Sequence, residues 1–552
     1  MSETITENGN VATGTVVGHL DDLDVAAMKM VKVDGHRLCL VRTSEGVFAL
    51  DQACPHEGYG LTTGELAGDL ITCAWHNWKF RVNDGVCVLG EEDVRTHPVH
   101  VADDGTLSVA FSEPDPAELR PKIMRSLRSG IEKQYVGQIS RDVVRLLRAD
   151  SNPGELIWEA VAYGAPRAEF GWGHSIASLT DCLSMVDRYD GDDRVLPIVQ
   201  AIAGVAETER GRPVQPLPDP VTAVPGDARA EFRRLVEAEQ LEPAQALLRG
   251  AIDSGHTADD LRPWFTDVIS DHLLSYGHGA IYAQKAFQLL DRIGWDRADT
   301  VLPYLLPTIV YGTREDKLPY MQLFHRGTAQ LDLAVLSARA SDPDPGWIDD
   351  GRLLAALLGP DRTEAALATG AAIDAGASLD AVLDVVSMAV SERMLRYDPA
   401  GEFDFHDDFG WLDITHGLTY ANAARWHLAH GQPSADQVRL VLWTAFLANW
   451  TGRHEWHVGV ADRAEIEPRS SDLIEYGRSL QHESLLDGTT AFIVHAHAVK
   501  MSVAATEEAV RLDSSTPLDA TARFIAAPKL ERFVAATVTR SVDFLSGRTQ
   551  RD

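Results

Sequence analysis

Cys54-x-His56 and Cys73-x-x-His76 are separated by sixteen residues inside "CPHEGYGLTTGELAGDLITCAWHNWKF" and form two arms, each with one thiol and one imidazole. A zinc finger keeps its cysteines in one arm and its histidines in the other. Mixed arms suit a [2Fe–2S] cluster, with two thiolates on one iron and two neutral imidazoles on the other, which becomes the more easily reduced. A structural zinc site is the competing reading of the same four residues.

A second set of histidines lies beyond residue 112, where fourteen of the twenty occur. Several share a setting: "GWGHSIASL" around His174, "SYGHGAIYA" around His278, "DITHGLTYA" around His416, and "FIVHAHAVK" around His495 and His497. A Gly or Ser follows three of them, and a small residue there lets helices approach so that the imidazole points into a shared space. The expectation is that His174, His278, His416 and His497 line one active-site cavity, within roughly 12 Å of a common centre. The alternative is that each is a hydrogen-bonded core residue. Tyr282 and Tyr420, four residues past their histidines, share the helical face and would donate to a carbonyl or enolate oxygen. Asp413-x-x-His416 has the spacing of carboxylate-bridged iron proteins and marks a candidate second iron site. His427-x-x-His430 and His454-x-x-His457 repeat that spacing, and "FDFHDDFG" adds His406, Asp407 and Asp408. No complete pair of Glu-x-x-His motifs accompanies them, which argues against a ferritin-like di-iron bundle.

Two kinds of chain must hold these groups. From about residue 13 to 112, short alternating runs such as "MKMVKVDG" and "RLCLVRTSEGVFAL" lie between Asp-Gly and Glu-Gly turns, the pattern of β-hairpins. After "SEPDPAELRPK", long Ala- and Leu-rich stretches take a helical period. The expected fold is multidomain: a small all-β domain over 13–112, then a large all-α domain over 113–552. The stretch "GRPVQPLPDPVTAVPGD" reads as a loop within the latter. His19, His36, His97 and His100 are expected to be ordinary surface residues.

Pro55 and Gly58 in the first arm, with Trp75-His76-Asn77-Trp78-Lys79-Phe80 in the second, resemble the Rieske family across residues 13–112. The resemblance implies cluster ligation by Cys54, His56, Cys73 and His76. Respiratory members carry an extra cysteine in each arm, forming a disulfide; the corresponding positions hold Tyr59 and Trp75, so the likeness is to the ferredoxin and oxygenase branch. Familiar Rieske oxygenases continue into a mixed α/β catalytic domain, and this chain departs from that. Its helical part instead resembles the questin oxidase-like family in "GHSIASLTDCLSMV", "GHGAIYAQKAFQLL", "THGLTYANAARWHL" and "HAHAVKMSVAATEEA". That likeness implies Baeyer–Villiger-like oxidative cleavage of polyketide ketones and quinones.

Together these readings predict an oxidoreductase, a monooxygenase using O2, whose cluster relays electrons to a helical site. The alternative is an electron-transfer or redox-sensing protein whose helices bind a partner or ligand. No Gly-rich dinucleotide fingerprint follows a strand, so NAD(P)H would act through a separate ferredoxin or flavin reductase. A formal charge of −32 over 552 residues excludes nucleic acid or an anionic membrane surface as natural partners. No apolar run approaches the roughly 18–20 residues of a membrane span. The polar start "MSETITENGN" and only five cysteines point to the cytoplasm.

Overall fold

The computed structural model describes residues 14–406 and 409–547. Asp407 and Asp408 lie outside the described residues, as does the side chain of His457. Two compact units are present, Met1–Ser151 and Asn152–Asp552.

The first unit begins with β1 (Thr15–His19), β2 (Ala27–Val33), β3 (His36–Arg42) and β4 (Val47–Asp51). Four short strands follow, β5 (Glu65–Ala67), β6 (Leu70–Thr72), β7 (Lys79–Arg81) and β8 (Cys87–Leu89). The last three are β9 (Thr96–His97), β10 (Val99–Val101) and β11 (Thr106–Val109). They make three antiparallel sheets in the orders β1-β11-β10, β2-β3-β4-β9 and β5-β6-β7-β8. The β2–β3 hairpin turns on Asp34-Gly35, both at positive φ (49° and 85°), as a two-residue hairpin with the strands' own twist requires.

Side chains on β3 alternate between two cores. Leu38 and Leu40 join Val31, Val33, Leu107 and Val109, while Cys39 and Val41 face Leu50, Ile71, Phe80 and Val94. Cys54 and Cys73 belong to the second core, so both arms are rooted in packed apolar material. Two helices, Pro116–Lys133 and Val136–Arg148, complete this unit. The compact unit therefore ends after Ser151, beyond the change of composition near residue 112.

His97 departs from the surface role expected of it. Pairing of β4 with β9 sets it opposite Ala49 and buries it. Its Nδ1 accepts from the Ser112 N–H at 3.1 Å, so Nε2 carries the proton and donates to Asp51 at 3.0 Å. The partner is supplied from a distant strand, so nothing local to His97 announces it.

The second unit is helical throughout its regular structure. At its centre are the helices His174–Val186, His278–Ile293, Trp411–Ala429 and Phe492–Leu512; each packs on the next, and the last packs on the first. Fourteen of the nineteen residues of Trp411–Ala429 are buried, as expected of a helix largely enclosed by others. Residues 212–221 carry no helix or strand, in keeping with their prolines. Among the described residues no helix is long and apolar enough to cross a membrane.

Candidate metal centres

The two arms are closed in the same way. The Cys54 N–H donates to the Tyr59 carbonyl and the Cys73 N–H to the Trp78 carbonyl, both at 2.8 Å. Each arm is thus a tight loop ending five residues after its cysteine. Gly58 turns the first at φ 77°, whereas the second bends through His76 and Asn77, at φ 69° and 61°. Left-handed backbone at two successive non-glycine residues costs free energy, of order 1 kcal/mol each, and marks a constrained turn. An aromatic stack ties the arms together: Tyr59 and Trp75 lie 5.0 Å apart at 17°.

Within this frame the Cys54 and Cys73 thiols are buried and unbridged. The imidazoles of His56 and His76 approach to 4.5 Å, and Trp78 stacks on His56 at 4.5 Å. The His56 Nδ1 is buried without a hydrogen-bond partner among the described residues. A buried, unsatisfied ring nitrogen close to the His76 imidazole, with a buried thiol in each of the same two arms, is what a metal ligand set looks like before the metal is added. Burial, with the neighbouring Cys73 thiol, pushes the Cys54 thiol up to about 12, a cost that a bound metal would remove. Two thiols and two imidazoles fit a [2Fe–2S] cluster, and the unsatisfied nitrogen supports that fit.

The second site has a different construction. The rings of His174, His278, His416 and His497 form a closed square, with centroids 4.9, 4.5, 4.7 and 4.9 Å apart around its edges. The square follows from the helix packing, because each helix contributes one imidazole near its N-terminal end. His174 and His278 are the first residues of their helices, while His416 and His497 lie one turn or more inside theirs. Gly277 starts its helix at φ 90°, where a Cβ would come within 2.6 Å of the Tyr420 ring. Tyr420 therefore contributes its ring to packing beneath the His278 helix.

Hydrogen bonds fix two tautomers. The His416 Nδ1–H donates to the Leu412 carbonyl, which leaves Nε2 bare, and that atom faces the His278 Nε2 at 2.9 Å. The Thr415 hydroxyl donates to the same carbonyl and so accepts from the His497 Nδ1–H at 3.0 Å. The His497 Nε2 is then also bare, buried and unpartnered. Tyr282 places its hydroxyl 3.3 Å from the His174 Nδ1, and Lys500 its amine 2.9 Å from the same atom. Ligating atoms of His174, His278 and His497 lie within 4.8 Å of one another.

The electrostatics suit neutral bases. Burial first, then the Lys500 charge, holds His416 down to about 3. Burial likewise holds His174, His278 and His497 well below the ordinary histidine range. The helix N-termini at His174 and His278 oppose added positive charge too. Burial lowers Lys500 itself to about 7. Deeper in the bundle, Lys285 forms a buried ion pair with Asp181 at 2.7 Å.

Other candidates are directed elsewhere. The Asp413 carboxylate accepts from the Gly410 N–H at 2.9 Å and from Arg453 at 3.0 Å, so it serves the start of its helix. His427 donates to the Ala280 carbonyl, His430 to that of Trp426, His454 stacks on Phe409, and His406 pairs with Asp543. His495 packs near Phe492. Lys500 was not singled out by the sequence reading; its signal is the i, i+3 spacing from His497 in an otherwise small and apolar run.

A small antiparallel β unit with paired Cys/His loops defines the first unit's class as an iron–sulfur domain. Residues 13–100 match the Rieske [2Fe-2S] domain family, and through this domain the chain belongs to that family. The ferredoxin component of naphthalene 1,2-dioxygenase/salicylate 5-hydroxylase systems from Ralstonia sp is 31% identical over 84 residues, 15% of this chain and 81% of that protein. Cholesterol 7-desaturase from Xenopus laevis is 46% identical over 55 residues, 10% of this chain and 12% of the desaturase. The chain thus spans only about an eighth of the desaturases it matches. Among solved structures, the ferredoxin of carbazole 1,9a-dioxygenase from Nocardioides aromaticivorans IC177 is 27% identical; the match covers 18% of this chain and 99% of that one, at a TM-score of 0.17.

Proposed function

We propose that this protein is an oxygenase in which Cys54, His56, Cys73 and His76 hold a Rieske cluster that supplies electrons to a metal-dependent site in the helical unit. The observation that carries the reading is the closed ring of four imidazoles, of which His416 and His497 are buried and His174 and His278 half-buried. Two of its nitrogens, His416 Nε2 and His497 Nε2, are bare by the hydrogen bonds their partner nitrogens make. Ring N–H groups anchored on a carbonyl and a hydroxyl, with the opposite nitrogens unprotonated, are the usual outer-shell arrangement of metal-bound histidine. His174, His278, His416 and His497 would hold one iron, which supplies redox chemistry toward O2 when bound.

The protein groups beside the ring then have defined work. Burial holds the Tyr282 phenol well above its ordinary range, so it keeps its proton and can donate to a carbonyl oxygen. Lys500, lowered to about 7, can accept or release a proton at Nζ near neutrality. Such a site suits a small ketone, quinone or polyketide-like molecule, the substrate class implied by the likeness to the questin oxidase-like family. Reducing equivalents would come from NAD(P)H through a separate ferredoxin or flavin reductase, and the setting would be the cytoplasm.

The test is metal analysis of anaerobically purified protein, coupled to O2 uptake with a hydroxylated anthraquinone as probe. Three irons per chain are expected, with uptake dependent on reduction. His278→Ala should leave two irons and no uptake. Two irons in the unaltered protein would sink the second site.

A further inference from the structure

We propose that the helical hairpin 116–148 is the docking surface for the electron donor, and that this donor is an acidic [2Fe–2S] ferredoxin. The inference rests on the electron-transfer role assigned above to the β unit and names the partner of that same site.

The charge distribution is the first observation. The chain carries a formal charge of −32, yet residues 116–148 hold eight Lys and Arg against three acidic residues, a local net of +5. Lys122 and Arg125 are exposed and make no ion pair or hydrogen bond among the described residues. Three nearby acids are engaged, Glu91 with Lys133, Glu92 with Arg145 and Asp51 with Arg95; with Asp93 and Glu113 added, the lining of the adjoining cleft still holds seven Lys and Arg against five acidic residues. Free positive charge therefore remains on the helices. An acidic carrier is repelled by most of this protein, and over a Debye length of about 8 Å it feels chiefly the patch it faces.

Position is the second observation. A cleft of about 1280 Å³ has Lys122, Arg125 and Arg141 on its helical wall and Cys54, Pro55 and Gly58 on the other. A loop of the donor entering this cleft meets the first arm directly. The hairpin also touches the imidazole side, because the Tyr135 hydroxyl donates to Glu57 and its ring lies 5.3 Å from that of His56. Docking there brings the donor's centre to either ligand pair. One electron leaves the donor's reduced iron and enters the ferric iron held by the arms; no atom is transferred.

The experiment uses the full holoprotein and a photoreduced acidic plant-type ferredoxin as probe, with stopped-flow absorbance following reduction. The rate constant should fall at least tenfold between low salt and about 0.3 M salt. Lys122→Glu/Arg125→Glu should lower the low-salt rate at least tenfold and remove the salt dependence. Its Rieske paramagnetic resonance and midpoint potential should stay unchanged, and Lys122→Gln/Arg125→Gln should fall between. A wild-type rate in the charge-reversed protein, or a rate that rises with salt as the overall −32 charge dictates, overturns the proposal. Failure of the underlying reading looks different: no Rieske resonance in the unaltered protein.

Discussion

Two cysteines and two histidines meet in the first unit from within residues 54–76, whereas four histidines meet in the second from helices as far apart as His174 and His497. The local site is made by bending backbone, and its cost appears as left-handed φ at His76 and Asn77. The distant site is made by packing helices, and its cost is desolvation: four imidazoles held neutral, a lysine lowered to about 7 and a buried ion pair. A short exposed loop can exchange electrons with a partner but cannot keep water out. A ring inside a bundle excludes water but needs hundreds of residues to hold it.

If the two sites are independent, the largest effects should be reciprocal. Cys54→Ser should abolish the visible absorption and resonance of the cluster while the helical unit keeps its thermal transition and the iron proposed for it. His497→Ala should remove that iron and leave the cluster spectrum as it was. One substitution erasing both signals would break the comparison.

The buried ion pair gives the next effect. Asp181→Ala leaves the Lys285 ammonium uncompensated in the core and should cost about 3–5 kcal/mol in the helical unit's unfolding free energy. Denaturant titration followed by far-ultraviolet dichroism would measure it. Lys285→Met added to Asp181→Ala should recover most of the loss; no recovery would mean that Asp181 acts through something other than the pair.

Protons should also separate the units. Burial first holds His427 down to about 4, partly offset by its bond to the Ala280 carbonyl, while the unfolded chain titrates near 6.5. Between those values the unfolded state binds more protons, so helical stability is lost as pH falls from about 6.5 to 4, by about 3 kcal/mol. His427→Gln should lower the slope in that window by about one proton, the ring histidines supplying the remainder, and an unchanged slope would refute the assignment.

The β site was legible because ligand type, spacing and turn residues all lie in one stretch. The helical site was legible only in part. Gly279 and Gly417 do mark close approach, since a Cβ there would come within 2.8 Å of Leu274 and 2.7 Å of Val390. Leu274 precedes the same helix and Val390 lies outside the ring, so those glycines do not themselves bring the four rings together; Lys500 was not foreseen, because a lysine's burial depends on the opposite helices. The same limit hid His97, whose partner Asp51 lies on another strand. Asp413 shows the reverse error of reading spacing alone: the first turn of a helix claims a carboxylate for its own N–H groups.

The smallest expected effect probes how the arms are joined. Tyr59 and Trp75, stacked at 5.0 Å and both exposed, stand where the Rieske resemblance implies a disulfide in respiratory members. An aromatic pair contributes about 0.5–1.5 kcal/mol beyond its burial, well below a covalent bridge. Tyr59→Ala should therefore leave assembly and colour intact but release iron to a chelator about two- to tenfold faster. The iron proposed for the helical unit offers the control and should leave at an unchanged rate. Tyr59→Phe keeps the ring and should restore the slow rate, since the stack and not the hydroxyl joins the arms. Equal release from Tyr59→Ala and the unaltered protein would mean that the backbone closures at Tyr59 and Trp78 suffice, and that the exposed pair has no part in holding the arms together.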